Sequence, residues 1–172
     1  MRSAVSIHRA TPADMPALRV LLLEMGHHYG ERTDDATIEA AATVLTDPQG
    51  RAGPHCLLAA QRGRPAGLAV LSGFFPAFDF TWGLLLKDLF VAATARGGSM
   101  ARALMTAAAG FAVEEEFTRL DWTTDAGNAR ARAFYAACGV PAAAKVFYRI
   151  EGAVLAGAAL GTWPDRLEGT AA

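Results

Sequence analysis

Apolar residues recur along this chain with two periods, three-to-four and two, and the switches between them mark out its elements. Ala4 to Arg9 reads as a short strand. Thr11-Pro12-Ala13-Asp14 then offers an N-cap hydroxyl, a proline at the first helical position and a carboxylate in the first turn. Met15, Leu18, Leu21, Leu22 and Met25 keep helical spacing, which predicts a helix closed by Gly26 in the left-handed conformation, with His27, His28 and Tyr29 following. Asp34 or Asp35 caps a second helix, with Ile38, Ala41, Ala42 and Leu45 on one face and Asp47-Pro48-Gln49-Gly50 as its breaker.

The period then shortens. Cys56 to Gln61 and Ala66 to Phe75 are predicted strands around the turn Arg62-Gly63-Arg64-Pro65, and Trp82 to Val91 is a third. Ser99 to Glu115 returns to helical spacing, with Met100, Ala103, Leu104, Ala107, Ala108, Phe111 and Ala112 repeating at three and four and Ser99 at the N-cap. Arg119 to Thr124 is a strand, Asn128 to Cys138 a helix closed by Gly139, and Lys145 to Glu151 a last strand in which Val146, Tyr148 and Ile150 alternate. The tail from Gly152 is Ala/Gly-rich, and is either a short apolar helix docking on a partner subunit or a frayed end. The order is mixed α+β, and one domain over 1–152 with a tail over 153–172 is expected.

Composition narrows the class. Among 172 residues, 52% are hydrophobic and 19% charged, enough apolar surface for a packed core. The net charge of −1 marks no general affinity for nucleic acid or anionic membrane. No apolar run reaches the ~20 residues of a membrane span, and MRSAVSIHRAT lacks the apolar core of a signal peptide, so a cytoplasmic protein is expected. Cys56 and Cys138 stand far apart among small apolar residues, which favours packing over a metal or redox pair. His27-His28 has no third ligand nearby in sequence, and no metal is expected.

The candidate chemistry begins at Arg96-Gly97-Gly98-Ser99-Met100-Ala101, where a strand turns into a helix. N–H groups of such a turn and of a first helical turn lack internal acceptors and sit at the positive end of the helix dipole. They can hold a pyrophosphate, or the glycines can serve helix capping alone. A second motif, Asn128-Ala-Arg-Ala131-Arg-Ala-Phe134-Tyr135, ends at Cys138-Gly139.

Together these resemble the GNAT superfamily of N-acetyltransferases, whose pattern is strand, R-G-x-G-x-G/A turn, long helix, strand, then N-x-x-A-x-x-F-Y-x-x-x-G. The likeness runs from Ile7 to Glu151 and implies a mixed, twisted central sheet of six or seven strands flanked by helices. Leu86-Lys87-Asp88-Leu89-Phe90-Val91 is similar to the L-E-D-[LFY]-[FY]-V strand of the diamine and spermidine/spermine branch. Ile7 to Asp14 and the aromatic Phe74 to Trp82 are similar to that branch as well.

The resemblance implies acetyl-coenzyme A as co-substrate and direct attack of a small molecule's primary amine on the thioester. It implies that Leu89, Phe90 and Val91 face the pantetheine arm, and that Arg96, Gly97, Gly98, Ser99, Met100, Ala101 and Arg102 hold the phosphates. Asn128 and Ala131 line the other side, unless Asn128 is simply a helix cap. Tyr135 protonates the departing thiolate. The base is drawn from Asp88, His28, Tyr29 and Asp121, and His28, Tyr29, Lys87, Asp121 and Trp122 are the expected acceptor contacts.

Two departures stand out. Ser99 replaces the middle glycine of the turn, and Lys87 replaces the glutamate that pairs with a polyamine. Lys87 repels a polycation and would anchor an acceptor with its own negative charge. The other readings are a non-catalytic acyl-CoA-binding or regulatory domain, and a protein N-acetyltransferase. A homodimer is expected by resemblance.

Overall fold

A computed structural model describes residues 5–31, 33–48 and 50–163. Expectations touching Ala4, Gln49 and residues 164–172 fall outside these. The chain divides into two units, Met1–Asp125 and Ala126–Ala172.

The first unit carries the sheet. Its strands are β1 (Val5–Arg9), β2 (His55–Gln61), β3 (Arg64–Phe74), β4 (Gly83–Val91) and β5 (Leu120–Trp122), in spatial order β1-β2-β3-β4-β5. The first four pair antiparallel and β5 runs parallel to β4, because helix α3 (Met100–Glu114) carries the chain back between them. Helices α1 (Met15–Tyr29) and α2 (Asp35–Thr46) fill the segment between β1 and β2.

Both sheet faces are buried, which explains why β2 and β3 read as near-continuous apolar runs. On one face Leu18, Leu21 and Leu22 of α1 and Ile38 and Ala42 of α2 pack on Leu58, Leu68, Val70 and Phe90. On the other, Leu104, Ala108 and Phe111 of α3 pack on Leu57, Ala59, Leu71, Leu84 and Leu86. Gly67 permits the close approach of layers: a Cβ there would lie 2.6 Å from the Phe90 carbonyl oxygen and 3.1 Å from Leu104 Cδ1.

Helix starts follow the sequence signals. Thr11 and Asp14 form a capping box on the 3-10 turn Pro12–Asp14 that leads into α1, with the Thr11 N–H donating to Asp14 Oδ2 at 2.9 Å, and Asp34 Oδ1 accepts from the Thr37 N–H at 2.7 Å at the start of α2. One helix end differs from expectation. α1 passes through Gly26 and stops at Gly30, whose φ of 75° is the left-handed value. Glu31 N–H donates to the Gly26 carbonyl at 2.9 Å and Gly30 N–H to the His27 carbonyl at 3.2 Å, the bond pair of a Schellman ending. A glycine within a helix costs only about 1 kcal/mol, which packing offsets, so Gly26 does not end it. His28 and Tyr29 are therefore helical and held, rather than in a loop.

The strand count is also corrected: the sheet has five strands, not six or seven. Residues 141–151 form no strand and join no ladder. Val146, Phe147 and Tyr148 are 76%, 70% and 87% exposed, so both phases of the alternation face solvent. Alternation favours a strand only when one phase is buried and a neighbour takes the backbone hydrogen bonds. The expected Arg119–Thr124 strand likewise contracts to three residues. In the second unit, α4 (Ala129–Ala137) is capped by Asn128, whose Oδ1 accepts from the Ala131 N–H at 3.0 Å, and is followed by Gly139 at φ 75°. α5 spans Gly152–Ala159. Among the described residues no helix is long and apolar enough to cross a membrane.

Cys56 lies inside the core at 3% exposure, and burial, aided by the Asp14 carboxylate, pushes its thiol up to about 12. It is a packing residue without thiolate character. A thiol reagent at neutral pH should therefore leave Cys56 unmodified in the native protein and label it only after denaturant. Peptide mapping of the labelled cysteines checks this.

Candidate active site

The register of β4 organises the first unit's candidate residues. Val70 pairs with Asp88 and Leu71 with Leu86, which leaves Lys87 as one extra residue opposite β3. Before this bulge Leu84 and Leu86 face the α3 core, and after it Asp88 shares with Phe90 the opposite face, the one covered by α1 and α2. Pairing to β5 covers only Leu84 to Leu86, so Asp88 to Val91 keep an edge that β5 leaves open. Backbone groups on such an edge can receive an extended chain carrying amides. The sequence held a signal for the bulge, since the apolar phase 84/86 becomes 89/91 within one strand.

On the α1-facing side, the last turn of α1 brings His28 and Tyr29 toward β4. The His28 ring lies 6.1 Å from Phe90 and 5.2 Å from Tyr29. Burial raises the Tyr29 phenol above its ordinary value, the negative Asp88 and Asp125 raise it further, and Arg96 opposes them. Tyr29 is thus a protonated donor at neutral pH, within electrostatic reach of the Asp88 carboxylate. Lys87 is exposed at the bulge.

The phosphate turn follows β4 through a 3-10 turn at Ala93–Ala95. Gly97 has a φ of 81°, and a Cβ there would meet nothing within 4 Å, so backbone conformation and not space selects glycine. Ser99 stands at the N-cap position of α3, yet its side chain makes no cap bond. Its φ and ψ of −86° and 3° lack the extended geometry from which a capping hydroxyl reaches back. The first N–H groups of any helix have no intrahelical acceptor, here those from Met100 onward, and no acidic residue stands in that turn. These features fit a pyrophosphate at the positive end of the helix.

Arg96 braces this turn. Its Nε donates to the Val91 carbonyl at 2.9 Å and its guanidinium stacks 5.6 Å from the Phe90 ring centroid. Of the backbone acceptors expected at Leu89, Phe90 and Val91, the last is therefore engaged by Arg96. A residue that the sequence reading missed completes the brace: Glu24 Oε1, on α1, accepts the Ala93 N–H at 2.6 Å. The two are 69 residues apart, and no local pattern marks such a bond.

Asp121 is less available as a base. Its Oδ2 lies 3.0 Å from Arg119 Nε, although that N–H points at no acceptor, so the pair is electrostatic and not hydrogen-bonded. Trp122 follows it on β5, paired in register with Leu86. In the second unit, Asn128 is occupied as the cap of α4, Ala131 is the residue whose N–H it accepts, and Tyr135 is half-buried with its ring 5.2 Å from Phe134. Among the described residues no group of three or more His, Cys, Asp and Glu could hold a metal ion.

The sequence model of the acetyltransferase (GNAT) family matches residues 17–140. The chain belongs to that family. No curated protein matches it. Among solved structures, this acetyltransferase is similar to an integron cassette protein from the mobile metagenome of V. cholerae, 28% identical with a TM-score of 0.75, over 90% of this chain and 97% of that one. It shares its fold with the aminoglycoside N-acetyltransferase AAC(6')-Iy in complex with CoA, at 17% identity and a TM-score of 0.74 over 88% and 97% of the two chains. It also shares it with the ribosomal-protein-alanine N-acetyltransferase of Brucella melitensis biovar Abortus 2308, at 21% identity and a TM-score of 0.72 over 87% and 99%.

The protein is accordingly an acetyl-CoA-dependent GNAT acetyltransferase, and the open β4 edge and the uncapped α3 N-terminus fit the arm and the phosphates of its co-substrate. Replacing Gly97 with alanine forces a Cβ into the left-handed region at about 1–2 kcal/mol. Gly97→Ala should raise the KM for acetyl-CoA several-fold with the acceptor KM unchanged, as steady-state kinetics with each substrate varied in turn would show.

Proposed function

We propose that this acetyltransferase acts on the primary amine of a small molecule that carries a negative charge of its own. The observation that supports this reading is the β4 bulge, at which the exposed Lys87 is followed by Asp88 on the α1-facing side. Asp88 takes the amine's proton, directly or through a water, and Lys87 holds the acceptor's anion. The amine nitrogen bonds to the thioester carbonyl carbon, the carbon–sulfur bond breaks, and the departing thiolate takes the Tyr135 phenol proton. With an unperturbed value of about 10, a phenol is a competent donor at neutral pH. Tyr29, His28, Asp121 and Trp122 frame the acceptor, and Asn128 and Ala131 act with the Arg96–Arg102 turn in holding coenzyme A.

The aminoglycoside acetyltransferases among the fold relatives support a small-molecule acceptor. The likeness of Leu86 to Val91 to the polyamine branch we read as ancestry. Two like charges ~6 Å apart cost about 3 kcal/mol at an effective dielectric of ~20, and solvent around an exposed lysine reduces that to a factor near ten in preference.

Free-thiol release from acetyl-CoA over polyamines, carboxylate-bearing amines, aminoglycosides and peptides tests the acceptor class. Carboxylate-bearing amines should lead spermidine, and Lys87→Glu should shift the ratio toward spermidine by ~10-fold. A wild-type preference for spermidine would sink the reading. Tyr135→Phe should lower kcat by ~10²-fold with unchanged affinity for coenzyme A by calorimetry, and undiminished turnover would remove Tyr135 from the mechanism.

A further inference from the structure

Between α1 and α2 lies a cavity of about 190 Å³. Leu22 and Met25 of α1 and Ile38 and Ala41 of α2 give it a mainly apolar lining, to which Thr33 and Thr37 add hydroxyls, and exposed Tyr29 and Glu31 also line it. An apolar cavity of ~150 Å³ is enough to hold a benzene ring.

Gly26 lines the same cavity. Its φ is not positive, and it sits inside α1 where an alanine would favour the helix by about a factor of four to five. A Cβ at this position would meet only Thr33 Oγ1 at 3.4 Å and the Glu31 carbonyl oxygen at 4.0 Å, ordinary contact distances. Neither backbone conformation nor crowding therefore requires glycine here. What glycine does is keep the volume open.

Tyr29 links the cavity to the β4 face that carries Asp88. It lines the cavity, its ring contacts His28, and His28 contacts Phe90 on that face.

We propose that this cavity receives an apolar side group of the acceptor, aliphatic or aromatic and about the size of one ring, attached near the amine that Asp88 deprotonates. The substrate class is then an amine with a carboxylate and an apolar side chain, as in a hydrophobic amino acid. This rests on the preceding reading of where the acceptor lies.

The test compares matched pairs in the thiol-release assay at saturating acetyl-CoA. L-phenylalanine and L-leucine should exceed glycine in kcat/KM by ~10-fold or more, and 2-phenylethylamine should exceed ethylamine similarly, the factor expected for burying such a group. The first pair holds the carboxylate constant and the second lacks it, so losing the carboxylate preference leaves the second comparison intact. Calorimetric binding of 2-phenylethylamine against ethylamine reads the same preference without turnover. Failure of small amines as substrates thus counts against the preceding reading alone.

Gly26→Leu should bring the phenylalanine-to-glycine ratio close to one with the KM for acetyl-CoA unchanged. Should that variant not fold, Gly26→Ala keeps the fold, raises Tm, and lowers the ratio by roughly four-fold, the worth of one methyl's volume. Equal handling of both members of each pair by the wild type, in turnover and in binding, overturns the proposal. So does an unaltered ratio in Gly26→Ala.

Discussion

The extra residue that β4 places opposite β3 governs most of what the first unit can do. A strand with strict alternation would have kept Leu84, Leu86 and Asp88 on one face, driving a carboxylate into the α3 core. The bulge at Lys87 reverses the phase, so that Leu89 and Val91 continue the α3 core begun by Leu84 and Leu86, while Phe90 packs into the α1/α2 core and Asp88 shares its face. At the same point the strand parts from β5, whose ladder ends at Leu86. One inserted residue thereby sets the direction of Asp88, the exposure of Lys87 and the edge from Asp88 to Val91 that β5 leaves open.

The turn after β4 depends on that edge being held in place. Arg96 reaches back to the Val91 carbonyl and lays its guanidinium on Phe90, and Glu24 fixes the Ala93 N–H from α1. The arginine that the motif suggests as a phosphate ligand is also a brace for the strand beside the phosphate turn. After it Gly97 supplies the left-handed turn, and the Ser99 hydroxyl makes no cap bond at the start of α3.

Much of this was legible in the residues, for local reasons. Asp34 and Asn128 were readable as caps because a cap bond spans three residues, and α3 because its apolar stripe repeats over four turns. The R-G-x-x-x-A turn and the Asn128 to Tyr135 motif carried the family. What could not be read depended on distant partners. Gly26 is a plausible stop by residue type, yet it is buried inside α1 and the left-handed ending forms at Gly30. Val146, Tyr148 and Ile150 carry the alternation of a strand, yet a strand exists only where another strand accepts its bonds. The bond from Ala93 to Glu24 is tertiary and leaves no periodic trace.

The Glu24 bond has a consequence for protein engineering. On the proposed reading, exchanging the α1–α2 hairpin between relatives would alter which amine is accepted, since His28, Tyr29 and the cavity all travel with it. This hairpin, however, also supplies the oxygen that receives the backbone N–H at the entrance to the phosphate turn. A grafted hairpin without an acceptor atom at that position would strand a polar group and loosen the site of the other substrate. Chimeras that change only the acceptor must therefore inherit this single carboxylate, or an amide in its place, from the host chain.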